Sequence, residues 1–259
     1  MESLSDVDRG ARIILRDCLK LERGQEVVIL VDETTLSLVP ALTHAAAQLA
    51  IPSTILYVPL SQQKATQKLE DLPTPLGAAL KDARAILTCI TGDTSCTTFR
   101  GVIINNFLGS HNRIGHMPGA SEAVLQAANV DLTALTQACR LVALPLARGE
   151  ALELITFDDH GRDYHLHALS GGWKRLPIAS TGIIFDGAWG NVPSGETYIA
   201  PLEESAHGSV FINGALPGLV IPPEEGIELV FTEGKLALPE SLAGATFAGP
   251  AQSGTAAPG

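Results

Sequence analysis

Five apolar residues follow one another without a break, Val27-Val28-Ile29-Leu30-Val31, between Glu26 and Asp32. A strand with one face in water alternates apolar with polar residues. An unbroken run implies a strand covered on both faces, as in a parallel sheet flanked by helices. The neighbouring stretches fit that reading. Thr35–Ala50, rich in Ala and Leu, reads as a helix, and Thr54–Val58 as the next strand. Asp71–Ala83 reads as a helix entered through Pro73 and Pro75, and Ala85–Ile90 as a third strand. Ahead of the run, Asp8–Leu21 sets Ala11, Ile14, Leu15, Cys18 and Leu19 on one helical face, with Gly24 as the stop. Alternating strands and helices require parallel pairing with right-handed crossovers. The expectation is a Rossmann-like α/β lobe with a parallel sheet. Thr97–Leu108 extends it as a helix or apolar loop, and Arg113–Gly119 as a strand and turn. Ser121–Ala128 and Leu132–Leu146 read as helices, with Asp131 and Thr133 as caps for the latter.

After Arg148-Gly149 the period changes from helical to two. Leu152–Phe157 and Asp163–Leu169 read as a hairpin across Asp158-Asp159-His160-Gly161. Ile183-Ile184-Phe185 and Glu196–Ala200 read as further strands. Asn213-Gly214 predicts a hairpin between Gly208–Ile212 and Ala215–Ile221. Thr232-Glu233-Gly234-Lys235 predicts another, between Ile227–Phe231 and Leu236–Leu238. The sequence thus predicts an α/β lobe over 1–148 and an antiparallel, β-rich C-terminal lobe over 149–243. A disordered tail is expected over 244–259, where small residues, Gly and Pro dominate.

Composition narrows the function. A net charge of −11 and a pI near 5.0 argue against nucleic acid and anionic membranes as partners, since both need a basic patch. Cys18, Cys89, Cys96 and Cys139 form no C-x-x-C pair and read as free thiols in a reducing compartment. Met1-Glu2-Ser3-Leu4-Ser5-Asp6 lacks the regions of a signal peptide, and no apolar run reaches membrane-spanning length, so a cytoplasmic protein is expected. A dinucleotide site would place G-x-G-x-x-G after the first strand. Here Asp32-Glu33-Thr34-Thr35 stands there, and the P-loop pattern is absent. Asp32, Thr34 and Thr35 read instead as helix caps, and no cofactor is expected.

The candidate site centres on Gly190-Asn191-Val192-Pro193-Ser194-Gly195-Glu196-Thr197-Tyr198-Ile199-Ala200-Pro201. A tight turn leads into a strand, with Glu196 at the junction and Trp189 and Tyr198 able to wall a cleft. This stretch resembles the Asn-x-Pro-x-Gly-Glu-[Val/Thr]-[Phe/Tyr]-x-x-Pro signature of the thermophilic metallopeptidases, the aminopeptidase T and S family. Arg113-Ile114-Gly115-His116-Met117-Pro118-Gly119-Ala120-Ser121-Glu122 is similar to that family's linker region, and the resemblance covers roughly residues 9–240. It implies Glu196 as one ligand of a two-metal site. In that family a second Glu, two His, an Asp and a catalytic Tyr lie further downstream. Here Gly259 ends the chain, and no His, Asp, Glu or Tyr follows Phe247. The expectation is therefore an aminopeptidase scaffold without its metal half, holding no metal and no catalytic residue.

Other constellations compete. His165 and His167 share one face of a strand, a pairing that suits zinc, copper or iron, with His160 or Asp158 as a third ligand. A polar outer face is the ordinary reading. His111 and His116 flank Arg113. His207 could approach Glu196 across a sheet. Trp173, Lys174 and Arg175 form an aromatic and basic spot suited to a peptide carboxylate. Ser194 lacks the G-x-S-x-G setting of a nucleophile.

The reading that results is a non-catalytic peptide-binding protein, with Trp189, Asn191, Glu196, Tyr198, His207, Trp173 and Arg175 as contacts. It would hold a precursor peptide for a modifying enzyme, as in ribosomal peptide natural-product pathways such as that of crocagin. A homo-oligomer is compatible with this. A metal-dependent aminopeptidase, a related mononuclear-iron dioxygenase and an assembly scaffold are the alternatives.

Overall fold

The computed structural model describes residues 5–216, 219–221 and 225–237. Helix α1 (Asp6–Arg12) starts at Ser5, whose hydroxyl accepts the Asp8 amide. It runs into a π-helical stretch, Ile13–Cys18, in which the Leu19 amide reaches back to the Ile14 carbonyl. The expected apolar face is kept: Ala11, Ile14, Leu15, Cys18 and Leu19 are all buried. Strand β1 (Val27–Val31), α2 (Val39–Gln48), β2 (Ser53–Tyr57), α3 (Leu60–Ala65), α4 (Thr74–Lys81) and β3 (Ala85–Cys89) follow. Next come α5 (Thr97–Phe107), β4 (Arg113–His116), α6 (Glu122–Ala127) and α7 (Leu132–Arg148). The apolar stretch from Thr97 is thus a helix.

The apolar run behaves as its composition demands. Val27, Ile29 and Val31 face a cluster with Ile14 and Leu15 of the π-helical stretch and Leu42 of α2. Val28 and Leu30 face the opposite cluster with Leu76, Leu80, Phe99 and Ile103. Each fully buried aliphatic side chain contributes about 1.5–3 kcal/mol, so this strand anchors both layers. Pairing is parallel, with Val27 opposite both Ser53 and Ala85, and Ala85 opposite Arg113.

The remaining strands are β5 (Ala151–Phe157), β6 (Asp163–Leu169), β7 (Ile178–Ser180), β8 (Trp189–Asn191) and β9 (Glu196–Tyr198). They continue with β10 (His207–Ile212), β11 (Ala215–Leu216), β12 (Leu219–Val220), β13 (Ile227–Thr232) and β14 (Lys235–Ala237). One five-stranded sheet has the order β2-β1-β3-β4-β8 and another the order β14-β13-β10-β6-β5; β11 pairs with β12, and β7 with β9. The fold is α/β, made of a parallel sheet with helices and, in addition, separate antiparallel sheets.

Three expectations are corrected. The stretch at Trp189 does not enter an antiparallel sheet; β8 runs parallel to β4, with Gly115 opposite Gly190. The edge of β4 would otherwise leave its backbone unpaired, and Ala188 O accepts the Ile114 amide there. Ile183-Ile184-Phe185 is not a strand: Ile184 is buried and its amide bonds Cys18 O, while Phe185 is exposed. Asn213-Gly214 does not pair β10 with the stretch after it. β10 pairs with β13 from Gly208 to Ile212, placing Val210 against Leu229 in the core, and β11 pairs with β12. The Glu233-Gly234 turn does close the β13–β14 hairpin, both residues at positive φ.

The described residues up to Leu141, with Ala179–Thr197, form one compact unit. Val142–Ile178 and the described residues from Tyr198 form a second. The tail expected over 244–259 lies outside the described residues. All four cysteines are free and buried. Among the described residues, no helix is long and apolar enough to cross a membrane.

Candidate functional site

In open α/β sheets, ligands commonly bind beyond the carboxyl ends of the strands where the strand order reverses, here between β1 and β3. Asp32 occupies that place and is fully buried. Its carboxylate accepts the Thr34 amide (2.9 Å), the Thr91 amide (2.6 Å) and the Gln63 side-chain amide (2.9 Å). Thr35 Oγ1 donates to Cys89 O (2.6 Å). Desolvation pushes the Asp32 carboxyl up, but the bonds from Thr34, Gln63 and the Thr91 amide outweigh it and hold it below the ordinary range. This crevice is knitted together by a buried anion, which suits a scaffold role better than binding a phosphate.

The Gly190–Pro201 stretch starts on β8 at the far edge of the sheet and passes on to β9, which pairs with β7. Val192 is buried and its amide bonds His116 O (2.8 Å). Gly115 leaves the room: a Cβ there would stand 2.9 Å from Val192 Cγ2 and 2.9 Å from Leu19 Cδ2. Further along, Ser194 Oγ meets Ser180 Oγ (2.7 Å) and Thr197 Oγ1 donates to Cys139 O (2.9 Å). With Thr197 turned inward, the alternation of a strand turns Glu196 and Tyr198 outward, and both are exposed. Asn191 is exposed as well, and Trp189 is 52% exposed.

Beneath Trp189 lies His116, whose ring it meets edge-on at 5.8 Å. Burial, then the nearby Arg100 charge, pushes the His116 imidazole down to about 4, so it is neutral near pH 7. Its Nδ1 bonds Thr88 Oγ1 (2.5 Å), and its buried Nε2 has no partner among the described residues. His111 is exposed in the loop before β4, so His111 and His116 sit at opposite ends of that strand and form no pair. Arg113 is buried, with hydrogen bonds to Asp186, Leu19 O and Lys20 O, a structural tie.

The other sequence candidates lie in the second unit. Glu196 and His207 belong to different sheets, β9 with β7 and β10 between β13 and β6. His207 stands opposite His167 instead. Trp173 is exposed at positive φ. Arg175 donates to Pro201 O (2.9 Å) and pairs with Glu203, so its guanidinium is already engaged. Asp158 and His160 do not join His165 and His167. Asp158 closes the hairpin turn, accepting the His160 and Arg162 amides, the Arg162 guanidinium and the Tyr164 hydroxyl. The residue beside the two histidines is Glu153, directly across from His167. Sequence reasoning missed it, although counting back through the hairpin from its turn would have set it there.

Asp158 gives a pH prediction. The Arg162 backbone amide, chiefly, holds its carboxyl down to about 2, with burial opposing and the other three donors helping. A depressed folded pKa contributes stability that is present above the unfolded value, near 3.8. That stability is lost as pH falls toward 2. Asp158→Ala should therefore flatten the acid limb of the stability profile. Thermal midpoints recorded between about pH 2 and pH 5 check this, and an unchanged slope in the variant would refute it.

No family model matches the chain, and no curated protein matches it. Among solved structures it is similar to wild-type AmpT from Thermus thermophilus, with a TM-score of 0.52 and 18% identity over 88% of this chain and 69% of that one. The fold is distantly aminopeptidase-like. A C-DES mutant with glycine covalently linked to its PLP cofactor is a far weaker match, with a TM-score of 0.28 and 17% identity over 44% of this chain and 30% of that one. The aminopeptidase-like fold agrees with the resemblance carried by the Glu196 stretch.

Proposed function

We propose that this protein binds an extended peptide without cleaving it, holding a precursor for modification by a partner enzyme. The observation that carries the reading is the exposed stretch at β8. This strand ends the parallel sheet, so its outer edge offers main-chain donors and acceptors for strand addition. Trp189 and Asn191 flank that edge, exposed, and Glu196 projects outward a short way along the chain. Trp189 supplies apolar area, and Glu196 meets an amino group or a Lys or Arg of the peptide. The net charge of −11 favours basic segments and makes the on-rate fall with salt. The likeness to AmpT supports a scaffold of aminopeptidase type.

The test is calorimetry against peptides encoded beside the gene, followed by mass spectrometry after long incubation. Glu196→Ala should weaken binding by about 1–3 kcal/mol through a lost charge-assisted bond, and Trp189→Ala should weaken it too. The peptide mass should not change. Loss of residues from the peptide in metal-supplemented protein, abolished by Glu196→Ala, would establish a metal-dependent aminopeptidase instead. If neither substitution alters binding, the site lies elsewhere, with the Trp173–Arg175 spot next to test.

A further inference from the structure

The antiparallel sheet gathers, on one exposed face, donor atoms suited to a transition-metal ion. Register brings them together. Glu153 on β5 stands opposite His167 on β6, and His207 on β10 stands opposite His167 from the other side. His165, two residues before His167, shares its face. Glu153 Oε1 is 2.9 Å from His165 Nδ1 and 3.4 Å from His167 Nε2. The three ligand atoms lie within 4.8 Å of one another, and the two imidazoles are nearly parallel, 17° apart.

These separations suit zinc. Nitrogen and oxygen ligands at about 2.0–2.1 Å in tetrahedral array stand about 3.3 Å from each other. The two distances from the Glu153 oxygen lie on either side of that value, so an ion can enter with small side-chain shifts. The second nitrogen of His165 is also in place: Nε2 lies 3.1 Å from Asp163 Oδ2. A carboxylate on the far nitrogen fixes the tautomer and orientation of a metal-binding imidazole. Two imidazoles with one carboxylate favour late first-row divalent ions over calcium or magnesium, which prefer all-oxygen sites.

We propose that Glu153, His165 and His167 form a mononuclear zinc site, oriented by Asp163 and open to solvent at its fourth position. The site lies wholly in the antiparallel unit and does not depend on the peptide-binding reading.

The test uses the full chain, stripped with a chelator and titrated with zinc against a chromophoric competitor. One zinc per chain is expected. Glu153→Gln and His167→Ala should each weaken binding at least tenfold, and the double variant His165→Ala/His167→Ala should abolish it. Asp163→Asn should weaken it by about tenfold, as the loss of an orienting partner does. His160→Ala should leave it unchanged. The ligands are exposed, and circular dichroism should be recorded to check that each variant is folded. Zinc uptake that survives in the double variant, equal weakening by His160→Ala, or no uptake by the wild type would overturn the proposal.

Discussion

Replacing Asp32 with alanine is expected to lower the free energy of unfolding by roughly 3–5 kcal/mol. The side chain itself contributes little apolar area, so the loss arises from what it leaves behind. The Thr91 amide and the Gln63 side-chain amide lose their acceptor in a buried setting, and the part-buried Thr34 amide loses its acceptor too. Each orphaned buried donor costs about 1–3 kcal/mol. Relaxation around the smaller side chain recovers part of that, which sets the total below the sum. Asp32→Asn separates the contributions. It keeps one acceptor oxygen for Thr34 but turns the other corner into a donor facing Thr91 and Gln63, so it should be nearly as harmful as alanine. The carboxyl is held below its ordinary pKa of 3.8. Its contribution is therefore present above that pH and lost as the solution is acidified through the folded value. Urea unfolding with an unchanged slope and a lowered midpoint is the expected result. A loss under about 1 kcal/mol would show that Asp32 does not hold the β1–β3 junction together.

Much of the parallel half was legible because its signals are local and strong. A five-residue apolar run has only one comfortable place, and Ser121, read as the start of a helix, does cap α6 through the Val124 amide. The failures occur where tertiary pairing overrides a local preference. Ile183-Ile184-Phe185 has strand composition, yet Ile184 serves as a plug, with its amide satisfied by a helix carbonyl. Asn213-Gly214 has hairpin chemistry, but β10 gains a five-residue ladder and a buried Val210 by pairing with β13. Helix α3 went unread because Leu60-Ser61-Gln62-Gln63-Lys64-Ala65 is short and mostly polar. Its one buried side chain, Gln63, is there for Asp32 and Val58 O, not for apolar packing.

The candidate sites divide in the same way. Glu196 and Trp189 could be singled out because a turn motif and an aromatic mark them in the sequence itself. Glu153 could not be singled out that way. An exposed Glu on a strand is unremarkable until the hairpin register sets it against His167. His116 shows the complementary case. It lies near His111 in sequence, but β4 carries it into the sheet interior, where burial keeps it neutral.

Gly10→Ala is expected to destabilise the protein by about 3 kcal/mol, although alanine favours a helix over glycine by about 1 kcal/mol. The sign is decided by space. A Cβ at Gly10 would stand 1.7 Å from the Leu125 carbonyl oxygen and 2.7 Å from its carbon, both backbone atoms of α6. A side chain could rotate away, but helix backbone cannot, so α1 and α6 must separate. That opens a gap in a cluster where Ala11, Ile14, Leu15 and Leu125 are fully buried. Overpacking of this kind typically costs 1–3 kcal/mol, and sometimes more, which exceeds the gain in propensity. The strain also has a route to the proposed binding edge. The helix that begins with α1 ends at Cys18, whose carbonyl accepts the Ile184 amide, and Leu19 packs against Gly115 beside Val192. A displaced helix should loosen the Ile184–Val192 segment that carries Trp189. Hydrogen exchange should then report faster exchange of the Ile184 and Val192 amides in the variant, together with a lowered unfolding midpoint. An unfolding free energy equal to or above that of the wild type would mean that α6 yields without cost, and the close packing of these helices would not be a constraint on residue 10.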